Sequence, residues 1–218
     1  PGTSQPPLST FLDTYKKLGN EYDSILSLHV SSELSGTYET AKTAANRLSN
    51  LDIHVFDSSS ISLGLGFLVI IAAELADKIN SIDTITAKLE KAKDNLSLYF
   101  TVDDLKYMKK GGRIGKAKAL LGSILNINPI ISITTKTGEV LPLSKARGKK
   151  RTVEKMIDIA IDKLDDAEEA WLGFAHGDRK LDMEKFKNKL KDKINQNLSI
   201  NFKTFTTKIS PTLGCHVG

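Results

Sequence analysis

The sequence contains a single cysteine, Cys215, and no apolar run long enough to cross a bilayer. One cysteine excludes an internal disulfide, which is typical of proteins kept in a reducing compartment. The longest apolar run, 63–73, is too short to span a membrane and contains two glycines. Since no secretory signal opens the sequence either, we expect a cytoplasmic protein.

Aromatic residues are few, at 6% of the chain, and they do not accompany the basic residues. The formal net charge is +5, and the two basic clusters, 106–118 and 145–151, contain between them one aromatic residue, Tyr107. Proteins that bind single-stranded nucleic acid stack bases on aromatic side chains, so we expect no nucleic-acid partner. An acidic protein partner, a transient contact with an anionic membrane and a plain solvated helix face all stay open for these clusters.

Sequence motifs of common enzyme classes are also missing. Gly64-Leu-Gly66 lacks the third glycine of a dinucleotide site and lies at a helix start, so helix packing explains it better. The run from Gly112 to Lys116 has the wrong spacing for a phosphate-binding loop. The four histidines do not have metal-ligand spacing, and no Gly-x-Ser-x-Gly elbow is present. We therefore expect no cofactor, no bound metal and no catalytic residue.

The most informative feature present is a hydroxyl-rich loop, 31–37, between a strand-like run, 25–30, and a helical run, 38–48. A loop that leaves a strand and opens a helix collects free backbone N–H groups and the positive end of the helix dipole. Four of its seven residues carry a hydroxyl, and Gly36 lets the backbone come close to a bound group. This pattern suits a carboxylate or a phosphate. The simpler interpretation is that Ser and Thr only cap the helix.

The order of elements predicts an α/β protein of two domains. Residues 1–80 read as strand, loop, helix, strand, loop, helix, which indicates parallel strands with right-handed crossovers. Ligands of such sheets bind at the carboxyl ends of the strands, where the hydroxyl-rich loop and a second Ser-rich loop, 57–60, fall. Residues 81–218 include a hairpin signature at 135–138 and predict an α+β domain with a mostly antiparallel sheet.

Short segments spread over nearly the whole chain match one known family in order and spacing. They are Thr3-Ser4-Gln5-Pro6, His29 to Ser32, Leu34 to Tyr38, Asp57-Ser58, Ser62 to Gly66, Leu105, Gly111 to Ile114, Lys145 to Gly148 and His216-Val217-Gly218. Together they resemble the DegV family, bacterial proteins that bind fatty acids. The family's opening strand and the Pro-Gly that follows its terminal His-Val-Gly are not in this sequence. The chain therefore looks trimmed at both ends, with its first strand missing.

The resemblance implies a long-chain fatty acid buried between two domains. In family members that are subunits of bacterial fatty acid kinase, a separate kinase phosphorylates the bound carboxylate, and the acyl phosphate serves phospholipid synthesis. Carried over by motif, the ligand-binding residues would be Thr3, Ser35, Gly36, Arg113 and His216. Arg147 would lie outside the pocket, near the kinase.

A lipid-binding subunit needs an apolar tunnel with a few polar groups at one end. The helix that begins at Leu63 would supply apolar surface, and its glycines, Gly64 and Gly66, would leave room for an acyl chain. Two alternatives stay open. One is a stand-alone acyl- or phosphoryl-transferring enzyme, although no base accompanies Ser35 in the sequence; the other is a regulatory or nucleic-acid-binding module recruited by the basic clusters.

Overall fold

A computed structural model describes residues 2–120 and 127–218 of the chain. The chain divides into two compact units, which we call the N-unit (Gly2–Leu98 with Ile133–Glu139) and the C-unit (Tyr99–Ser132 with Val140–Gly218). The predicted fold class is confirmed: a parallel sheet lies in the N-terminal part and an antiparallel sheet follows later.

The N-unit alternates helices with two strands that pair in parallel. Its elements are α1 (Leu8–Gly19), β1 (Ser24–His29), α2 (Thr37–Arg47), β2 (Asp52–Asp57), α3 (Ser62–Ala76) and α4 (Ile82–Asn95). The strands are in register from Ser24 opposite Asp52 to His29 opposite Asp57. Parallel pairing brings both carboxyl ends to one edge of the sheet, so the two Ser-rich loops leave from that edge side by side.

Helices cover both faces of this sheet because successive strand residues point to opposite sides. Ile25 packs in one core with Tyr15 of α1 and Ala44 of α2. Its neighbour Leu26 packs against the other core, which contains α3 and α4. The two cores fix the sheet edge from which the hydroxyl-rich loop leaves.

The division of the chain differs from the boundary at residue 80 that the sequence suggests. Helix α4 lies in the N-unit because Ile85 and Leu89 are buried against Phe56, Leu68 and Ala72. The hairpin turn, Ile133–Glu139, also belongs to the N-unit although its strands continue into the C-unit. Neither packing can be read from the local pattern, because both depend on contacts distant in sequence.

The C-unit combines a three-stranded sheet with a separate two-stranded one. Its elements are β3 (Leu98–Thr101), α5 (Lys106–Lys110), a 3-10 helix (Gly115–Leu120), β4 (Ile127–Ile133), β5 (Val140–Arg147), α6 (Lys149–Leu164), β6 (Glu169–His176), α7 (Lys180–Asn197), β7 (Asn201–Lys208) and α8 (Pro211–Val217). The sheet order is β3-β4-β5, and β4 and β5 form the predicted hairpin.

Strands β6 and β7 pair in parallel, as an exception to the mostly antiparallel pattern expected for this region. Helix α7 joins them, and Phe174, Leu190 and Ile194 form the core between strand and helix. A strand–helix–strand crossover of this length favours parallel pairing.

Two short helices of the C-unit differ from what the sequence predicts. Of the helix expected over 116–125, the structure has a 3-10 helix at Gly115–Leu120, and 121–126 lie outside the described residues. Helix α8 was not anticipated; Ser210 caps it by accepting the Leu213 N–H, and Pro211 occupies its first turn. Within 2–120 and 127–218, no helix has the length and apolarity needed to cross a membrane.

Candidate functional site

The loop between β1 and α2, which we call the hydroxyl loop (Ser31–Thr37), is anchored at its first residue. Ser31 is fully buried, at 0% exposure. Its N–H donates to the Ser60 carbonyl at 2.9 Å, and its carbonyl accepts the N–H groups of Leu34 at 3.0 Å and Ser35 at 3.1 Å. The loop is therefore folded back on its own start, which places Ser35 at the amino end of α2.

Ser35 occupies a half-buried position in which its hydroxyl is already oriented. Its Oγ lies 2.8 Å from Thr37 Oγ1 and accepts the Thr37 N–H at 3.3 Å. When Thr37 Oγ1 is the donor of the first bond, the Ser35 proton is left to donate to a ligand. The missing side chain at Gly36 lets the Gln5 side chain approach the loop closely, since a Cβ there would lie 3.1 Å from Gln5 Nε2. A neutral hydroxyl beside a helix amino end suits an anionic headgroup.

The segment that precedes α1 runs past this loop. Gln5 contacts Gly36, and Thr3, two residues earlier, is half-buried in the same unit. The N-unit thus contains Thr3, Ser35 and Gly36, the three ligand-binding residues that the sequence places in the N-terminal part.

The carboxyl end of β2 supports the neighbouring loop through Asp57. Its carboxylate accepts the Ser59 N–H at 2.8 Å and the Ser32 N–H at 3.3 Å. Lys93 of α4 donates to the Asp57 carbonyl at 3.1 Å. Asp57 therefore links the hydroxyl loop to the second Ser-rich loop.

In the C-unit, Arg113 and His216 are brought together from distant parts of the chain. Arg113 Nη1 donates to the Gly111 carbonyl at 2.6 Å. His216 in α8 lies against Gly111 so closely that a Cβ there would be 2.6 Å from its Nδ1. The turn after α5 permits this, since Gly112 has a φ of +72°, which few residues other than glycine adopt.

Two histidines have lowered pKa values, one in each unit. Burial lowers the pKa of His216, and the positive charge of Arg113 lowers it further. Burial also lowers the pKa of His29 at the end of β1, against a smaller opposing effect of Asp57. Tyr15 donates to Ser27 Oγ, which lies 2.8 Å from His29 Nε2, so a neutral His29 can accept the Ser27 proton. Both imidazoles are therefore poised as neutral groups at pH 7.

Arg147 is the last residue of β5 and is exposed, as is Lys145. With Ile127 and Ala146 they line an open surface depression of the C-unit. Because Arg147 is exposed, its guanidinium is accessible from solvent.

The two glycines of α3 differ. A Cβ at Gly64 would lie 2.2 Å from Ser60 Oγ and 3.3 Å from Leu96, so packing within the N-unit fills this position. At Gly66, apart from the helix's own backbone and the adjacent residues, no atom of residues 2–120 or 127–218 lies within 4 Å of such a Cβ. The expectation that both glycines leave room for an acyl chain is therefore wrong for Gly64.

The sequence did not indicate the roles of three residues. Ser31 holds the start of the hydroxyl loop, Asp57 connects the two Ser-rich loops, and Gly111 contacts His216. A carboxylate that closes a strand before a Ser-rich loop was a usable signal for Asp57. Among the described residues, no cluster of His, Cys, Asp or Glu could hold a metal ion.

The sequence profile described as "Uncharacterised protein, DegV family" matches residues 1–218. The chain belongs to the DegV family. It is 36% identical over 160 residues to the DegV protein of Bacillus subtilis, an alignment that covers 73% of this chain and 56% of that protein. It is also 35% identical over 220 residues to a DegV domain-containing protein of Clostridium acetobutylicum, covering 100% of this chain and 76% of the relative.

Solved DegV structures have the same fold. A structure described as fatty acid binding of a DegV family protein from Thermus thermophilus matches with a TM-score of 0.87 and 29% identity, covering 100% of this chain and 75% of that one. A structure described as DegV, a fatty acid binding protein from Bacillus subtilis, matches with a TM-score of 0.85, 29% identity and the same coverages. The chain thus spans about three quarters of the length of these structures.

Proposed function

We propose that this protein binds a long-chain fatty acid, holds its carboxylate through hydroxyl groups and presents it to a partner kinase. The observation that carries the proposal is the match along the entire chain to two DegV structures described as fatty-acid-binding. The oriented hydroxyl of Ser35 at the amino end of α2 supports it.

In this proposal the headgroup residues of the two units have different roles. Thr3 and Ser35 donate hydroxyl hydrogen bonds to the carboxylate, and Gly36 lets the backbone approach it. Arg113 and His216 form the polar network around it, in which Arg113 contributes positive charge and His216 a neutral imidazole. Because a carboxylate left unpaired in a dry site is costly, these groups determine which end of the ligand is held.

The acyl chain supplies most of the affinity. Burial is worth about 0.8 kcal/mol per methylene, so a long chain gains on the order of 10 kcal/mol before the costs of ordering and desolvation. The net binding free energy that is left after these costs is compatible with sub-micromolar affinity. The headgroup then acts mainly by selecting acids over other lipids of equal length.

A titration with matched ligands tests the headgroup proposal. A fluorescent fatty acid bound to the protein is displaced by oleic acid or by oleyl alcohol, which has the same chain without the carboxylate. We expect the acid to compete at least tenfold better than the alcohol. Equal competition would contradict specific carboxylate binding, and no displacement by either would contradict fatty acid binding itself.

Presentation to a kinase is the second part of the proposal. The exposure of Arg147 supports a role in contacting such a partner, and its truncation should leave the bound ligand undisturbed. Arg147→Ala is expected to keep fatty acid affinity within twofold and to reduce acyl-phosphate formation by an added fatty acid kinase. Equal loss of binding and of phosphorylation would contradict this division of roles.

A further inference from the structure

We propose that Ser31 is a positioning residue for the fatty acid headgroup: it contacts no ligand but fixes the hydroxyl loop against the hairpin turn at Gly138. This inference rests on the proposed function, since it assigns a role in the same site. The hydroxyl loop contains four hydroxyl side chains, and the structure separates them into different roles.

Every polar group of Ser31 has a partner within the N-unit. Its Oγ donates to the Gly138 carbonyl at 3.0 Å. Its N–H donates to Ser60, and its carbonyl accepts from Leu34 and Ser35. At 0% exposure the side chain has no surface for a ligand. Ser31 therefore orders the backbone on which Ser35 stands.

Gly138 is specifically suited to receive this serine. Its φ of +74° lies in the left-handed region, and a Cβ at Gly138 would lie 2.1 Å from Ser31 Oγ and 3.1 Å from Ser31 Cβ. Its own N–H donates to the Thr134 carbonyl at 2.7 Å, which closes the turn. The Gly138 carbonyl is therefore an acceptor that the turn conformation orients, at a position distant in sequence from the loop.

Asp57 supports the loop from the other side. It accepts the N–H of Ser32, the residue that follows Ser31. The start of the hydroxyl loop is therefore held by the hairpin turn through a side chain and by β2 through a carboxylate. Of the remaining loop residues, Glu33 is exposed and the others, including Ser35, are half-buried, so a ligand can reach them.

The test compares Ser31→Ala with a matched loss of another buried hydroxyl. Thr152 in the C-unit is 3% exposed and donates to the carbonyl of Gly148, a glycine that also has positive φ, at the same distance of 3.0 Å. For Ser31→Ala we expect an affinity for a fluorescent fatty acid about five- to tenfold weaker than wild type. Both variants should lower the melting temperature to a similar degree, but Thr152→Val should keep the affinity within twofold of wild type.

Hydrogen exchange of the ligand-free proteins gives a second readout. In Ser31→Ala, the amides of Leu34 and Ser35 should exchange at least tenfold faster, while those of β1 keep the wild-type rate. In Thr152→Val, all of these amides should exchange as in wild type. Unchanged exchange in the loop of Ser31→Ala would overturn the proposal whether or not the protein binds a fatty acid.

A double-substitution cycle tests the contact itself. Gly138→Ala should weaken fatty acid binding more than Ser31→Ala, because the new Cβ would lie 2.1 Å from Ser31 Oγ. The double variant should be no worse than Gly138→Ala, because without Oγ the nearest atom of residue 31 is its Cβ at 3.1 Å. Additive losses would refute a direct coupling. If Ser35→Ala weakens binding and Ser31→Ala does not, the positioning role fails while the proposed function stands; if wild type binds no fatty acid, the proposed function fails.

Discussion

The hydroxyl loop of the N-unit and the Arg113–His216 cluster of the C-unit are built from different chemistry. The hydroxyl loop offers neutral donors. It is fixed because Ser31 Oγ donates to the Gly138 carbonyl and the Asp57 carboxylate accepts the Ser32 N–H. The cluster offers a guanidinium beside a neutral imidazole, and the absence of a side chain at Gly111 lets them approach. Neutral hydroxyl donors can orient an anionic ligand, and burying them costs little desolvation free energy. A cation also attracts the anion by its charge, with a strength that depends on how far both are removed from water.

The largest effect is expected at Ser35. Ser35→Ala removes a hydrogen bond to a charged group, which is typically worth about 1.5–3 kcal/mol. We therefore expect fatty acid affinity, measured by fluorescent displacement, to fall about tenfold or more with little change in unfolding free energy. Thr43→Ala, which removes an exposed hydroxyl of α2, the helix that follows the hydroxyl loop, is the control and should bind as wild type. Equal affinities for both variants would remove Ser35 from the site.

A smaller effect is expected from displacing His216. A Cβ at Gly111 would overlap its ring, so Gly111→Ala should weaken fatty acid binding about fivefold and destabilise the fold by roughly 1–3 kcal/mol, the usual cost of overpacking. Gly214→Ala in α8 is the matched control, because in the described part of the chain nothing beyond the adjacent residues and the helix's own backbone lies within 4 Å of a Cβ at that position. The two variants should differ in both affinity and melting temperature; if they behave alike, His216 does not depend on Gly111.

The smallest effect concerns pH. The pKa values of His29 and His216 in the folded protein lie below the ordinary 6.5. At a pH between the folded value and 6.5, the unfolded chain therefore binds more protons than the folded one. Stability is then full above pH 6.5 and falls as the pH drops below it. Unfolding in urea from pH 7.5 to 5 should show this loss, and His29→Gln should reduce it. A flat profile in wild type would contradict the neutral state of these imidazoles.

Local pattern was sufficient to predict much of the N-unit. The strand before the hydroxyl loop was expected at 25–30 and is found at Ser24–His29, and α4 was expected at its observed bounds. The spacing of apolar residues and the positions of turn residues predict these bounds, because both depend only on neighbouring residues. The loop that contains Ser35 was found for the same reason.

Features that depend on tertiary contacts were not accessible in this way. The sequence does not show that Gly138 lies on Ser31, 107 positions away, or that Ser60 fills the space beside Gly64. Nor does it show that α4 packs with Phe56 or that His216 lies against Gly111. In each case the contact depends on how the whole unit packs, which a local sequence pattern does not contain.

The most direct test of the central claim is organic extraction of the folded protein, purified from a bacterial host, followed by mass spectrometry. The account predicts a long-chain fatty acid in near-stoichiometric amount from wild type and a reduced amount from Ser35→Ala. An extract of folded wild-type protein that contains no fatty acid, together with no uptake of added oleic acid, would contradict it.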